Sequence, residues 1–599
     1  MKQIITTTVT IISALLLSSC VDLNLNPLSE GSSENWYSSQ QEIEMSLNDL
    51  YRTAFFPIDG DTWADDVVSR NGTQFTFNGS LTAENSTIIT HWENYYKGIA
   101  RCLRILNNLD KARELGIPES KLAQYEGEAN FYIGFAYGML AFRWGDVILD
   151  KTGMTLEEAY SATRSPKSDV LSYSYECLDK AADLLPASYP GELEGFTSGA
   201  AKAFKARIAI YNGDYATAAA ASKACIDEGT YSLHPNYGDL FTASFSKEWI
   251  LAFKGDLNLK VYYWFASNAV RYLPRLASGY GQNNPGHELI CAYNCIDGLP
   301  IDESPLYNPK AIFDNRDPRM AMTIVPFAQP ESECVKNGTY KPEDFAHMGV
   351  EYSPDPSKNK VIRFSDGAMV YNNDSKACAL HAAYNGFLFK KFVDPATWTP
   401  ANALKAPNAY PYMRYGDVLL MYAEAMNETG KLTQDILDQT INKLRERAYA
   451  GTGINYPRAM LKSQAENRTL IRTERFVEMA AEGWRYEDLI RWRIAEVVFN
   501  RPVFYLERTW SNSATWNGDL STTPAEFQKL VKNWNDGNYP IGGIPEIDEN
   551  GIADIRFMEK AGYVVKATDR KFDPSRDYLW PIPSGDRLVN SNLTQNPGY

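Results

Sequence analysis

Aromatic side chains in the loop-rich stretches or at their edges, with polar residues beside them, are the residues of this chain best suited to bind a ligand. The candidates are Trp63, Asp65, Arg70, Asn71, Phe75 and Trp92 in one loop-rich stretch, and Tyr263, Trp264, Tyr280, Tyr371 and Trp398 in another. Aromatic rings stack on apolar ligand faces, while amide, carboxylate and guanidinium groups form hydrogen bonds at the ligand edges. The combination of aromatic rings and polar side chains predicts that the protein binds a ligand noncovalently.

The surroundings of three tryptophans differ. Trp398 stands between Pro395 and Pro400, and a rigid loop loses less entropy when a ligand binds. Trp92 begins a helical pattern, so packing between helices explains it at least as well as ligand stacking. Trp63 has no packing role that the sequence shows, so we expect it to contact a ligand.

Residues that could support catalysis or bind a metal do not form a recognised motif. The five histidines include no HExxH pair or other metal-ligand spacing, and neither GxSxG nor a P-loop occurs. Asp65 and Asp66 are adjacent acids, but neighbours in sequence seldom face a common bond, so we expect a solvated loop there. The sequence therefore predicts no catalytic residues, no metal and no cofactor.

The cysteines exclude a zinc site or a redox motif of the usual kind. Seven cysteines follow Cys20, and none forms a CxxC pair. Cys102, Cys177 and Cys225 fall within helical patterns and are expected to be buried apolar residues. Cys291 and Cys295 could pair in an oxidising compartment, which the sequence leaves open.

The N-terminus has the pattern of a bacterial lipoprotein signal. Lys2 precedes an uncharged apolar run too short to span a membrane, and Leu17-Ser18-Ser19-Cys20 resembles a lipobox. We expect residues 1–19 to be removed, Cys20 to be lipidated, and residues 20–35 to form the tether. Ordinary secretion, with Cys20 a chance cysteine, is the alternative.

The charge of the chain argues against nucleic acid and anionic membranes as partners. The 599 residues contain 59 Lys and Arg against 74 Asp and Glu, a net charge of −15, with no basic block. We therefore expect contact with the membrane through the lipid alone.

The elements that must position the candidates follow from hydrophobic periodicity. Helical patterns cover about 36–56, 92–249 and 411–497, whereas 57–91, 250–410 and 501–580 are rich in Gly, Pro, Asn and Asp. Small residues alternate with aromatics in 120–144, which favours close approach of helices. Two helices joined by Asn212-Gly213-Asp214 are typical of a tetratricopeptide repeat. We predict one mostly α domain over 36–599, a tetratricopeptide-like helical scaffold carrying a large irregular, loop-rich lobe.

Ordered motifs over nearly the whole chain beyond residue 20 resemble the SusD/RagB family of Bacteroidetes outer-membrane lipoproteins. They include Asp22-Leu23-Asn24-Leu25-Asn26-Pro27, Trp92 with Tyr96-Lys97-Gly98-Ile99, Arg143-Trp144-Gly145-Asp146-Val147, Glu288-Leu289-Ile290, Asn315-Arg316-Asp317-Pro318-Arg319, Arg414-Tyr415-Gly416-Asp417-Val418-Leu419-Leu420, Glu482-Gly483-Trp484-Arg485, Trp580-Pro581-Ile582-Pro583-Ser584 and Gln595-Asn596-Pro597-Gly598-Tyr599.

The resemblance implies a lipid-anchored, surface-exposed protein that is not an enzyme. Such a protein captures a nutrient oligomer, first of all a glycan, and delivers it to a SusC-like TonB-dependent transporter. Peptide capture of the RagB type, a scaffolding module without a small ligand, and a surface glycoside hydrolase are the alternatives. In the family, ligand contacts tend to come from the loop before the Trp92-type helix and from the lobe after the Glu288 segment, which is a regional match only.

The charged residues of these motifs are expected to be structural. Their spacing on helices predicts interhelical ion pairs and caps. They are Arg414, Asp417, Glu424, Arg472, Glu474, Arg475, Glu478 and Glu482.

Overall fold

The computed structural model describes most of the chain beyond the N-terminal segment. It covers residues 36–599 apart from 59, 71–73, 192–194, 257, 260–268, 273–279, 310, 327–359, 363–368, 372–382, 384, 394–407, 507–518, 537–543 and 561–563. Among these described residues no helix combines the length and the apolar character that crossing a membrane needs. The fold is mostly helical.

The helices are short except in the first third of the chain. In order they are α1 Gln40–Asn48, α2 Ser86–Asn107, α3 Leu109–Glu114, α4 Glu119–Trp144, α5 Leu156–Ser161, α6 Lys167–Leu184, α7 Ser198–Tyr211, α8 Tyr215–Glu228, α9 Ala269–Tyr272, α10 His287–Ala292, α11 Arg319–Thr323, α12 Tyr415–Glu428, α13 Gln434–Gln439, α14 Ile441–Tyr449, α15 Gln464–Glu478, α16 Arg485–Arg491, α17 Ala495–Phe499, α18 Ala525–Asn535, α19 Arg556–Lys560 and α20 Ser584–Val589.

Short strands pair in antiparallel two-stranded ribbons. The strands are β1 Val67–Ser69, β2 Trp249–Phe253, β3 Asn283–Pro285, β4 Lys360–Ile362, β5 Met369–Tyr371, β6 Tyr410–Arg414, β7 Val503–Leu506 and β8 Val564–Thr568. The pairs are β1 with β3, β2 with β6, β4 with β5, and β7 with β8. The β1–β3, β2–β6 and β7–β8 ribbons join segments that are far apart along the chain.

Helix α4 is the centre of the scaffold. Every residue from Gly127 to Trp144 is buried, and α2, α6 and α7 pack around the helix. A methyl group added at Gly134 would lie 2.7 Å from the Ser174 carbonyl oxygen, and one at Gly138 would lie 2.4 Å from Ile208. The predicted close approach of helices at small residues is therefore confirmed.

Helices α7 and α8 form the predicted tetratricopeptide-like hairpin. Gly213 turns the chain with φ +80°, which favours glycine, and the Asp214 carboxylate accepts a hydrogen bond from the Thr217 amide at 3.0 Å. Helix α12 packs against α8, which extends the scaffold into the later helical block. The tetratricopeptide-like scaffold is confirmed.

Several predicted boundaries were wrong for local reasons. Helix α2 begins at Ser86, not Trp92, because the Asn85 side chain caps the amides of Thr87 and Ile88. Residues 410–414 form β6 rather than helix, because they pair with β2. Within the predicted helical block 411–497, the chain breaks between α13 and α14 at Thr440, whose ψ is −89°. The first helix ends at Asn48 and continues as a 3₁₀ turn over Asp49–Tyr51.

The motif charges form buried ion pairs between elements, as predicted. Arg414 is fully buried and donates to Glu248 at 2.9 Å, Glu478 at 2.8 Å and Glu482 at 2.8 Å. Although it is the N-cap residue of α12, its side chain makes no capping hydrogen bond.

The remaining motif charges follow the same pattern, with one exception. Glu424 pairs with Arg491, Glu474 pairs with Arg445 at 2.8 Å, and Asp417 pairs with Arg475. Arg472 instead donates to the Asn550 side chain at 3.0 Å. Since most partners lie far apart along the chain, these charges join elements and do not support single helices.

Candidate functional site

The two loop-rich stretches that hold the sequence candidates meet at the β1–β3 ribbon. Val67 pairs with Pro285 and Ser69 with Asn283. The Arg70 amide extends the pairing by donating to the Gln282 carbonyl at 2.8 Å. Segments more than two hundred residues apart along the chain therefore lie side by side in a buried ribbon.

Arg70 and Tyr280 are the two candidates that the structure brings together. The Arg70 guanidinium donates to the Tyr280 carbonyl oxygen at 2.6 Å, and the Tyr280 side chain is 39% exposed. Arg70 itself is half-buried. We call this pair the Arg70–Tyr280 surface. It presents a partly exposed tyrosine whose carbonyl oxygen accepts from a cationic hydrogen-bond donor.

Buried polar groups directly follow this surface in strand β3 and helix α10. Both amide atoms of Asn283, the Asn284 Nδ2 and the His287 Nε2 have no hydrogen-bond partner among the described residues. Buried polar atoms are usually paired, and these side chains, at 1 to 5% exposure, lie beneath the surface. Consecutive strand side chains alternate between faces, so Asn283 and Asn284 point to opposite sides of the ribbon. Burial lowers the pKa of His287 to about 4, which keeps the imidazole neutral.

Trp63 is a core residue, and the ligand contact predicted for it is corrected. Its side chain is only 3% exposed. The rings of Phe75, Tyr486 and Trp580 lie 5.2, 5.8 and 5.7 Å from its own. A ring enclosed in this way has no face left for a ligand. Phe75, half-buried, packs against this cluster at the edge of the core.

Trp92 is likewise buried, at 3% exposure, and its ring packs 5.4 Å from that of Trp144. The helix-packing explanation that the sequence left open is the one that the structure shows. The prediction that Trp92 stacks on a ligand is therefore also corrected.

Asp65 and Asp66 are buried anchors, so the expectation of a solvated loop was wrong. The Asp65 carboxylate accepts two hydrogen bonds from Arg485, at 2.8 and 3.1 Å, and Asp66 accepts one from the Ala481 amide at 2.9 Å. A side chain at Gly286 would lie 1.9 Å from the Asp65 carbonyl oxygen. Asp65 therefore ties the loop to the scaffold and cannot contact a ligand.

The other predictions fall outside what the structure describes. Asn71, Tyr263, Trp264 and Trp398 lie outside the described residues, as do Cys20 and the whole of 1–35. Tyr371 is described only as the last residue of β5.

Histidine and cysteine groups in the described part of the chain have structural surroundings. No cluster of three or more His, Cys, Asp or Glu there could hold a metal ion. His91 is buried with its Nδ1 2.6 Å from the Arg143 guanidinium, which also pairs with Glu487. Cys291 and Cys295 are buried free thiols, so the disulfide that the sequence left open is not formed.

Asn283, Asn284 and His287 were missed by sequence reasoning. The signal was the run Asn283-Asn284-Pro285-Gly286-His287, a polar string directly after the aromatic candidate Tyr280. Only the pairing of β3 with β1 shows that the run is buried beside Arg70.

Two family descriptions match this chain. The SusD family matches residues 254–599, and a family described as starch-binding and associating with the outer membrane matches residues 35–210. Together the two matches cover the chain from residue 35 to its end, apart from 211–253.

Relatives in Formosa agariphila match over most of their length. SusD-like protein P38 is 24% identical over 519 residues, which cover 82% of this chain and 91% of that protein. SusD-like protein P2 is 22% identical over 619 residues, which cover 98% of each.

Solved structures show the same fold. A SusD-like carbohydrate-binding protein from Bacteroides fragilis aligns with a TM-score of 0.70 and 26% identity, over 94% of this chain and 100% of that one. A laminarin-binding SusD-like protein aligns with a TM-score of 0.53 and 20% identity, over 94% of this chain and 100% of that one. With a family match over more than half of its length, the chain belongs to the SusD family.

Proposed function

We propose that this protein captures an oligosaccharide at the outer membrane and delivers it to a SusC-like TonB-dependent transporter. The observation that carries the proposal is the Arg70–Tyr280 surface, where a partly exposed tyrosine is bonded through its carbonyl oxygen to a guanidinium. Family membership supports it, because the matching descriptions and solved relatives name starch, carbohydrate and the outer membrane.

The chemistry of a sugar fits this surface. A pyranose ring has apolar C–H faces that stack on an aromatic ring, and hydroxyl edges that need both donors and acceptors. Tyr280 supplies a partly exposed aromatic residue, and the Arg70 guanidinium donates to its carbonyl oxygen. Stacking and hydrogen bonding break no covalent bond of the ligand, so the proposed function is not that of an enzyme.

The site is tested by truncating Tyr280. A stacking aromatic ring should contribute roughly 1–3 kcal/mol, by analogy with base stacking in single-stranded nucleic-acid channels. We therefore expect Tyr280→Ala to weaken binding of the best polysaccharide from a panel by about that amount, measured by calorimetry. Tyr160→Ala is the matched control, since Tyr160 is 50% exposed on scaffold helix α5.

Unchanged affinity in Tyr280→Ala would place the site elsewhere in the lobe. Equal losses in both variants would mean that neither ring stacks specifically.

Anchoring through Cys20 is a separate part of the proposal. Its support is the Leu17-Ser18-Ser19-Cys20 sequence. Metabolic labelling with a palmitate analogue should tag the wild type and not Cys20→Ala. A labelled Cys20→Ala variant that still fractionates with the outer membrane would refute the anchor.

Delivery requires a transporter partner. Affinity purification from outer membranes in mild detergent should recover a SusC-like transporter encoded nearby. A protein that runs as a lone monomer while that neighbour is expressed would contradict the partnership.

A further inference from the structure

A groove of about 1000 Å³ lies on the scaffold between α1, the turn that follows it, and α2. It shares no lining residue with the Arg70–Tyr280 surface. The volume is at the upper end of that of ligand pockets, so it suits an oligomer of a few units.

The charge of this groove is opposite to that of the whole chain. Its charged lining consists of Arg52, Lys97, Arg101, Arg104 and Asp49, four cations against one carboxylate. The net charge of these five side chains is therefore +3, whereas the full chain carries −15. A local positive field in an acidic protein favours an anionic ligand.

Part of this positive charge is already paired, and part is not. Asp49 accepts from Arg52 at 2.9 Å and also contacts Arg101, so one carboxylate is shared by two guanidiniums. Lys97 pairs with Glu93 at 2.7 Å on the same helix. Arg104 is exposed, and its guanidinium has no ion pair within the described part of the chain.

Aromatic rings and neutral polar groups complete the walls. The Arg101 guanidinium lies 5.1 Å from the centre of the buried Phe55 ring, and Trp36 lines the groove with its indole N–H donating to Ser46 at 2.8 Å. Asn94 supplies a neutral amide. Rings, amides and guanidiniums together match a sugar that carries acidic groups.

We infer that this groove binds an oligosaccharide bearing carboxylate or sulfate groups. The saccharide class rests on the proposed function, and the groove adds the charge of the ligand and a second contact site. Guanidinium groups at Arg52, Arg101 and Arg104 hold the acidic groups, as planar donors suit carboxylate and sulfate oxygens.

The test uses the full-length lipoprotein in detergent with defined probes. The probes are a heparin-derived tetrasaccharide, tetragalacturonate, neutral maltotetraose, sodium sulfate and a tetraglutamate peptide. Both acidic saccharides should bind at low salt and weaken as NaCl rises, because exposed charges are screened.

Variants separate the groove from the lobe. The double change Arg52→Gln and Arg104→Gln should weaken acidic-saccharide binding roughly tenfold, as two partly exposed charge contacts would. Asp49→Asn should strengthen it several-fold, because it releases Arg52 and Arg101 from their shared partner. Lys223→Gln, an exposed lysine paired within α8, is the control and should change nothing.

The outcomes distinguish this inference from the proposed function. If Tyr280→Ala weakens binding of a neutral polysaccharide and leaves binding of the acidic tetrasaccharides unchanged, the proposed function and the groove inference are both supported. If the wild type ignores acidic saccharides, or the double variant binds them equally well, the groove inference fails while the lobe proposal survives. Equal binding of sodium sulfate or of the peptide would overturn the saccharide assignment, as would weaker binding by Asp49→Asn.

Discussion

At the scale of single residues, aromatic side chains in loops look alike in sequence and differ completely in the fold. Trp63 and Tyr280 both stand outside helical patterns, yet Trp63 is 3% exposed and Tyr280 is 39% exposed. The difference comes from Tyr486 and Trp580, which enclose Trp63 from more than four hundred residues away. Sequence patterns report neighbours along the chain, so the region of the site could be predicted and its individual residues could not.

The core role of Trp63 predicts a loss of stability. Trp63→Ala should lower the free energy of unfolding by about 3–5 kcal/mol, the usual cost of deleting a large buried ring. Tyr280→Ala should stay within about 0.5 kcal/mol of wild type, since its ring is partly exposed. Urea unfolding followed by tryptophan fluorescence and circular dichroism measures both. Equal urea midpoints of unfolding for the wild type and Trp63→Ala would show that the Trp63 ring is not part of the core.

At the scale of elements, long periodic helices were predictable and short strands were not. The pattern of glycine and aromatic residues in 120–144 indicated close packing, and α4 shows it at Gly134 and Gly138. Strand β6 escaped prediction because its partner β2 lies about 160 residues earlier, so the pairing leaves no local signal in the sequence. Boundaries also depended on single side chains, such as the Asn85 cap of α2.

The close packing of α4 predicts opposite effects for two helical glycine substitutions. Gly134→Ala should destabilise the protein by about 1–3 kcal/mol, because its methyl group meets the Ser174 carbonyl oxygen and the Leu178 side chain. Gly585→Ala is the matched control in α20, where nothing lies within 4 Å. There the gain in helix propensity should leave stability unchanged or raised by up to about 1 kcal/mol. The melting temperatures of both variants, compared with that of the wild type, test this prediction. An unchanged melting temperature for Gly134→Ala would mean that α4 and α6 are less tightly packed than the structure shows.

At the scale of the whole molecule, buried ion pairs join the scaffold to the segments around it. Burial opposes ionisation of Glu478, but the guanidiniums of Arg447, Arg414 and Arg319 outweigh it and hold the pKa of the carboxyl well below its usual range. Burial likewise opposes ionisation of Asp417, and Arg475 with Arg207 keeps its pKa low. The folded state therefore depends on these carboxylates staying ionised.

This dependence predicts loss of stability in acid. A carboxyl group whose pKa is lower in the folded state stabilises the protein above its unfolded pKa, near 4 for Asp and Glu, and that stability is lost as the pH falls further. The melting temperature should therefore be steady from pH 7 to about 5 and fall steeply below pH 4.

High salt should not abolish the acid effect, because buried pairs are weakly screened. Asp227→Asn, which removes an exposed partner of Lys223, should follow the wild-type curve. A melting temperature that stays constant down to pH 3 would contradict the stabilising role of the buried pairs.

Noncovalent capture of an oligosaccharide is tested most directly by incubating the purified protein with a panel of polysaccharides and peptides. Affinity electrophoresis reports binding, and mass spectrometry of the recovered ligand reports whether it was cut. We predict retention by at least one polysaccharide, recovery of that polysaccharide intact, and no comparable binding of peptides. Recovery of shortened chains, or binding of peptides in place of every polysaccharide, would contradict capture of an oligosaccharide.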